Sequence, residues 1–492
     1  MIRTPAQDSR SMGGKTARCR VAAGSALVFA LFFLGGCTVG PKYVRPAAEV
    51  PPAYKEAGNW KPAEPADALS KGNWWEVYQQ PDLNALEGQI NVSNQTLKAS
   101  EDQFLHARAA VRVSRSALFP TISGGLSVTP TQLSSNRPLT QVGENGYYTD
   151  YVLSVDASYE ADVWGRVRRT VEASRSEAQA SAADLANVSL SLHAELALDY
   201  FQMRGLDAQE QLLNTTVAAY EKALNLTQSR FHGGIASALD VAQAQAQLEN
   251  TRAQAQDVEV QRSQYEHAIA VLVGKPPAEF SLPESPLKSP PPPIPPGLPS
   301  DLLERRPDIS AAERRMQEAN ANVGVARAAY FPLIMFSPAA GFESTAISTL
   351  IQGPSIFWSL GGAAAQTIFD AGHRRGISEE ARADYDQSVA NYRQSVLGAF
   401  QDVEDNLAAL RILQQEAATE DAAVAAAQHS LDLSTTLYRG GLANYLQVIT
   451  AQSTALSDQV TAVEILTRRL QASVLLVKAL GGGWTTSQIP RV

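Results

Sequence analysis

Side chains able to make or break bonds are sparse and dispersed in this chain of 492 residues. Its six histidines, His106, His193, His232, His267, His373 and His429, stand at none of the spacings that let two imidazoles share a metal ion. The sequence contains no GxSxG, no phosphate-cradling P-loop and no GxGxxG. No catalytic residue, no metal site and no cofactor is therefore expected. Arg305, Arg306 and Asp308 form a compact charged group that reads as ion pairs fixing a helix start, not as an anion site. Arg108, Arg112 and Arg115 recur at helical spacing, which makes a solvated or inter-subunit face.

One thiol stands out by its context. Arg3, Arg10, Lys15, Arg18 and Arg20 precede an apolar run from Val21 to Leu34. At about 14 residues that run is too short to span a bilayer and is the length of a signal-peptide core. It ends in Leu34-Gly35-Gly36-Cys37, which resembles the lipobox of bacterial lipoproteins. The resemblance implies that residues 1–36 are removed, that Cys37 carries a covalent lipid as the mature N-terminus, and that Thr38 after it directs the chain to the outer membrane. Met1 and Met12 are both possible starts. Cys19 leaves with the signal, so no disulfide forms within the mature chain. Removing five basic residues and Asp8 from a net charge of −9 leaves −13, which argues against a nucleic-acid partner.

The rest of the chain is written twice. Residues 107–120 (ARAAVRVSRSALFP) return as 319–332 (ANANVGVARAAYFP), an offset of 212. Residues 231–245 (FHGGIASALDVAQAQ) return as 438–452 (YRGGLANYLQVITAQ), an offset of 207, so the second copy is five residues shorter between Phe-Pro and Gly-Gly. Such a long period means a duplicated supersecondary unit, not a solenoid.

The leader, 37–80, has no helical period and is expected to be pinned by Trp60, Trp74 and Trp75. The first repeat, 81–275, reads as one helix from Pro81 to Ala117, stopped before Pro120, then a β-hairpin over 121–163. A helix from Gly165 to Arg230 and a return from Leu239 to Val273 complete it. In the second strand Tyr151, Leu153, Val155, Ala157 and Tyr159 make an apolar face and Val152, Ser154, Asp156, Ser158 and Glu160 a mostly polar one, which fits a transmembrane barrel strand and a soluble half-buried strand equally. The long helix carries two apolar rows, Leu185, Val188, Leu192, Leu196 and Leu190, Ala194, Leu198, Phe201, which imply neighbours on two sides. A proline strap, 276–300, joins a second repeat, 301–480: helix Asp308–Ala329, hairpin Leu333–Phe369, long helix Gly372–Tyr438 and return Leu446–Leu480. Residues 481–492 are a tail.

Four strands per chain cannot close a barrel, and an open sheet edge is not tolerated in hydrocarbon. Eight strands would fill their own bore, so three copies giving twelve strands are expected. The fold class is an α+β membrane protein: a trimeric 12-stranded barrel continued by a long helical periplasmic barrel.

The leader CTVGPKYVRP (Cys37 to Pro46), the phrase LPSDLLERRPDI (Leu298 to Ile309), the paired Phe-Pro signals and the paired Gly-Gly tips together resemble the TolC-like outer-membrane efflux lipoproteins, the NodT family of resistance-nodulation-division type systems. The resemblance covers the mature chain. It implies a homotrimer in the outer membrane, in contact with its lipid, that docks to a periplasmic adaptor protein and an inner-membrane pump. It would passively export small toxic compounds or drugs. The tips, Phe231, Gly233, Gly234, Leu239 and Asp240 in one copy and Tyr438, Gly440, Gly441, Leu446 and Gln447 in the other, are the implied docking end, with all four glycines expected in the left-handed helix-ending conformation. Acidic residues narrow that entrance in the family; here Asp240 is matched by Gln447, so the second copy departs from the pattern. A type I protein-secretion duct and a structural lipoprotein without a pore are the alternatives; the lipobox and RRPD phrase oppose the first and the alternating hairpins the second. Cys37→Ser is expected to abolish labelling by radioactive palmitate and to alter processing; unchanged labelling would contradict the lipid anchor.

Overall fold

The computed structural model describes residues 38–47, 50–57, 73–134, 146–287, 289–294 and 299–490. The signal, Cys37, Trp60 and the tip of the first hairpin's loop lie outside the described residues. Two helices replace the single one read over 81–117: α1 (Pro81–Ser93) and α2 (Gln95–Ser116). Asn94 between them is extended (ψ 120°), and its side chain accepts the Leu97 N–H at 2.9 Å while donating to the Leu272 carbonyl at 2.7 Å. An asparagine that caps a helix so well competes with continuation of the preceding one.

The first hairpin is β1 (Thr121–Gln132) and β2 (Tyr147–Glu160), followed by α3 (Arg166–His232) and α4 (Ala238–Leu272). The second repeat has α5 (Pro307–Ala328), β3 (Leu333–Ser344), β4 (Ile356–Ala365), α6 (His373–Arg439) and α7 (Tyr445–Ala479). Each long helix has 67 residues, about 100 Å at 1.5 Å per residue. Gly205 does not break α3: a Cβ there would sit 2.3 Å from Thr467 Oγ1, so the glycine lets α7 approach.

The strands form one antiparallel sheet in the order β1-β2-β3-β4. Thr121 faces Ser158 in the first hairpin and Leu333 faces Ala365 in the second, reproducing the offsets of 212 and 207 at the same level. The five-residue shortening therefore lies in the hairpin loop. Facing residues share a side of the sheet, which aligns Leu126, Leu153, Phe342 and Ile356 on one side. The alternation of β2 thus extends across all four strands, with Ser127, Ser154 and Asp156 on the opposite side.

The core lies where leader, strap and tail wrap the middle of α3. Trp74, Trp75, Tyr78, Leu83, Ile90, Leu192, Leu196 and Phe201 are buried there, so both apolar rows of α3 find partners. Arg204, 1% exposed, donates to Asp207 at 2.8 Å and to the Pro283 carbonyl at 2.6 Å; Arg262 donates to Asp207 at 2.7 Å and to the Leu282 carbonyl at 2.8 Å. Carbonyls of an extended strap outside any sheet have no ladder partner, and these guanidiniums supply one. The described part of the strap is extended apart from short 3-10 turns at its two ends, Pro277–Glu279 and Pro299–Asp301.

Beside this belt, Glu87 is fully buried and its carboxyl lies 2.6 Å from His193 Nδ1, with Trp75 stacked on the imidazole at 4.4 Å. Burial pushes Glu87 up to about 9 and His193 down to about 4, so both are neutral at pH 7. The carboxyl then donates to Nδ1, leaving Nε2–H to face Asn91 Oδ1 at 3.3 Å. Between pH 4.5 and 6.5 the two linkages oppose each other. From pH 6.5 to 9 only Glu87 acts, the folded state holds the extra proton, and stability falls as pH rises. Thermal unfolding of wild type should therefore drop across that range, and Glu87→Gln should flatten the decline. An equal slope in the variant would contradict the neutral pair.

Candidate functional site

The candidate functional residues gather at the two ends of the helical hairpins, the sheet end and the Gly-Gly tips. Among the described residues no cluster of three or more His, Cys, Asp or Glu is placed to hold a metal, and no helix is long and apolar enough to cross a membrane. His106, His232, His267, His373 and His429 are exposed, and His193 is committed to Glu87. Arg305 pairs with Asp301, and Arg306 pairs with Asp308 and Asp402, so that group is the expected set of ion pairs beside the strap. Arg108 and Arg112 are exposed and Arg115 is half-buried.

At the sheet end, each strand pair feeds its long helix through an aspartate cap. Asp162 accepts the Val167 and Arg168 N–H groups at 3.0 and 2.9 Å, and Asp370 accepts those of Gly372 and Arg374 at 3.2 Å each. Gly165 (φ +82°) and Gly372 (φ +93°) make the turn from strand to helix. Trp164 stacks on Phe331 at 4.7 Å and donates to the Pro332 carbonyl at 2.9 Å, locking the two repeats together. Nothing in the sequence singled out that indole. The leader arrives here too: Val39 donates to the Trp164 carbonyl at 3.0 Å.

At the far end the two helical hairpins turn identically. Gly234 N–H bonds the Phe231 carbonyl and Ile235 N–H the Arg230 carbonyl; Gly441 to Tyr438 and Leu442 to Leu437 repeat this. This is the Schellman arrangement, which needs one left-handed residue. Gly234 (φ +73°) and Gly441 (φ +75°) supply it, whereas Gly233 and Gly440 have φ of −80° and −75°. The expectation of four left-handed glycines is corrected to two, because only the C′ residue must reverse. The next helix is capped by Ser237, whose N–H is accepted by the Asp240 carboxylate at 2.9 Å; in the second copy Asn444 accepts from Gln447 at 3.1 Å. Asp240 is thus engaged in a capping box.

Phe231, Leu239 and Leu446 are exposed, but Tyr438 is buried against Tyr445 and Val448, so the two aromatic counterparts differ. Sequence reasoning missed three further residues. Ile235 and Leu442 are 70% and 80% exposed at equivalent places after each Gly-Gly, and the repeat itself was the signal for them. Arg230 lies 4.7 Å over the Tyr438 ring and donates to the Arg439 carbonyl at 3.2 Å, tying the hairpins together. Its counterpart, Leu437, cannot do so.

The family profile described as outer membrane efflux protein matches residues 86–275 and 298–482. The toluene efflux pump outer membrane protein TtgF of Pseudomonas putida is 34% identical over 460 residues, covering 92% of this chain and 95% of that one. The antibiotic efflux pump outer membrane protein ArpC of Pseudomonas putida is 32% identical over 461 residues, covering 93% and 95%. Among solved structures, the outer-membrane channel OprN superposes with a TM-score of 0.85 at 28% identity, covering 91% of this chain and 100% of that one.

The glycine geometry separates neighbours within each pair. Gly441→Val is expected to destabilise the tip turn by ~1–3 kcal/mol through a forced left-handed β-branched residue, while Gly440→Val is expected to act far less. Amide exchange at Leu442, whose N–H closes the turn onto the Leu437 carbonyl, reads this, and equal effects at both glycines would contradict the assignment.

Proposed function

The chain belongs to the outer membrane efflux protein family, and from that membership we propose that it works as a homotrimer in a three-part pump, with a periplasmic adaptor at its tips and an inner-membrane pump behind the adaptor. It is an outer-membrane exit duct for efflux. It holds no energy source of its own in this reading, and transport is passive. The carrying observation is the sheet with one apolar and one polar side, joined by short connections to 67-residue helices in both repeats. Such a sheet fits lipid on one side and water on the other.

The substrate class we propose is small lipophilic toxicants, as the toluene and antibiotic relatives carry in their names. The tip residues Phe231, Gly233, Gly234, Leu239, Asp240, Tyr438, Gly440, Gly441, Leu446 and Gln447 are proposed as the adaptor end. Matching turns on each chain give six around a three-fold axis, and the exposed Ile235 and Leu442 add apolar contacts. Lipidation of Cys37 is supported by the leader's path. A Cβ on Gly165 would come within 2.9 Å of Thr38, so the residue after Cys37 sits beside the base of the sheet. A lipid there would enter the same membrane as the barrel.

Detergent-extracted protein should have the protein mass of three mature chains, and deleting it should lower tolerance to toluene and lipophilic antibiotics unless the intact chain is restored. A monomeric mass with unchanged tolerance would overturn the proposal.

A further inference from the structure

Among the described residues of one copy the sheet ends in two unpaired edges, β1 and β4. Two offsets relate the repeats: β1 maps onto β3 by adding 212, and β2 maps onto β4 by adding 207. The chain also contains one seam between repeats, β2 against β3. There Asp156 faces Ala339, Leu153 faces Phe342, and Ala161 donates to the Ile334 carbonyl at 2.9 Å.

We infer that β4 of one copy pairs with β1 of the next in the register given by carrying this seam across the duplication. Ala363 then faces Ser127 of the neighbouring copy, Ala364 faces Leu126, and Ile368 donates to the carbonyl of Ile122. The inference rests on the proposed trimer and adds what the trimer alone does not fix, the alignment of its joints.

Three features of the edges agree with it. First, the register keeps sides matched: Ile122, Leu126 and Val128 on β1 lie on the apolar side, as do Trp358, Leu360 and Ala364 on β4. A slip of one residue would turn one strand's apolar set toward the polar side. Second, the apolar side chains exposed on these edges, Ile122, Leu126, Trp358 and Leu360, are more than two-thirds exposed in a single copy, as a surface for lipid and a neighbour would be. Third, each kind of joint contains one proline without an N–H, at a different level. The β2–β3 pairing skips Ala157, opposite Pro338, and its neighbour Ser158. On β1 the position equivalent to Pro338 is Leu126, and the proline is Pro130 instead, so the joint between copies has its one missing bond four residues along the strand.

The alternation of an antiparallel ladder decides which pairs can be cross-linked. Ala161 and Ile334 form a hydrogen-bonded pair, so Asp156 with Ala339, and hence Ala363 with Ser127, occupy non-hydrogen-bonded places with Cα atoms about 4.5 Å apart. That is within disulfide reach. In one chain Ser127 and Ala363 lie on opposite edges, three strand spacings or ~14 Å apart across the sheet and further apart along it, out of reach. Cys37, expected to be acylated, does not interfere.

The test oxidises outer membranes carrying Ser127→Cys with Ala363→Cys and separates the unfolded protein without reductant. The expected result is covalent dimers and trimers, roughly tenfold more abundant than from Gly125→Cys or Thr129→Cys with Ala363→Cys, because diagonal pairs exceed disulfide geometry. Asp156→Cys with Ala339→Cys should form its intrachain bond and so report correct folding. Dominant linking by a shifted pair would overturn the register while leaving the trimer in place. Absence of linking in all pairs, with the intrachain control formed and a trimeric mass, would overturn it too. Absence of linking with a monomeric mass would overturn the trimer itself.

Discussion

A backbone N–H or C=O in hydrocarbon must have a hydrogen-bond partner, and this chain cannot provide all of them alone. Its sheet satisfies β2 and β3 on both sides but β1 and β4 on only one. Each unsatisfied group in lipid is worth several kcal/mol, so a row of them dwarfs the ~5–15 kcal/mol that separates a folded domain from its unfolded state. The membrane part is therefore incomplete as a single copy. The helices beneath inherit the same requirement, because each strand pair runs straight into a long helix through an aspartate cap and a left-handed glycine.

Duplication solves the rest with little new invention. All four long helices end on a left-handed glycine in the same hydrogen-bonded turn, at Gly234, Gly274, Gly441 and Gly481. Close helix contacts are made with small side chains: Ala178, Ala180, Ala183 and Ala194 are fully buried, and Gly205 and Gly324 admit Thr467 and Arg169. Where the repeats diverge, they do so at joints. Trp164 has no aromatic counterpart, since Ala371 stands at its place, and Arg230 is matched by Leu437. The proline strap has no periodicity to pack with, and buried Arg204 and Asp207 with half-buried Arg262 hold it instead.

Much of this was legible in the residues because periodicity over long runs is a strong signal. Both hairpins, both 67-residue helices to within two residues, and the two apolar rows of α3 follow from pattern and punctuation. What escaped was local or tertiary. Asn94 splits a helix by capping the next one, which no apolar pattern records. Only one glycine of each tip pair reverses the chain, a distinction that composition cannot make. Tyr438 looks like Phe231 in sequence, yet it is buried against Tyr445 and Val448 with Arg230 of the other hairpin over its ring. The Glu87–His193 pair joins residues 106 positions apart and carries no motif.

Amide hydrogen exchange in native outer membranes tests the central claim, that copies of this chain complete one another's sheet. The account predicts that the amides of β1 and β4 directed at the outer edges, Ile122 among them by the alternation of the ladder, exchange as slowly as those between β2 and β3. Rapid exchange along both edges, with β2 and β3 still protected, would show an open sheet and contradict it.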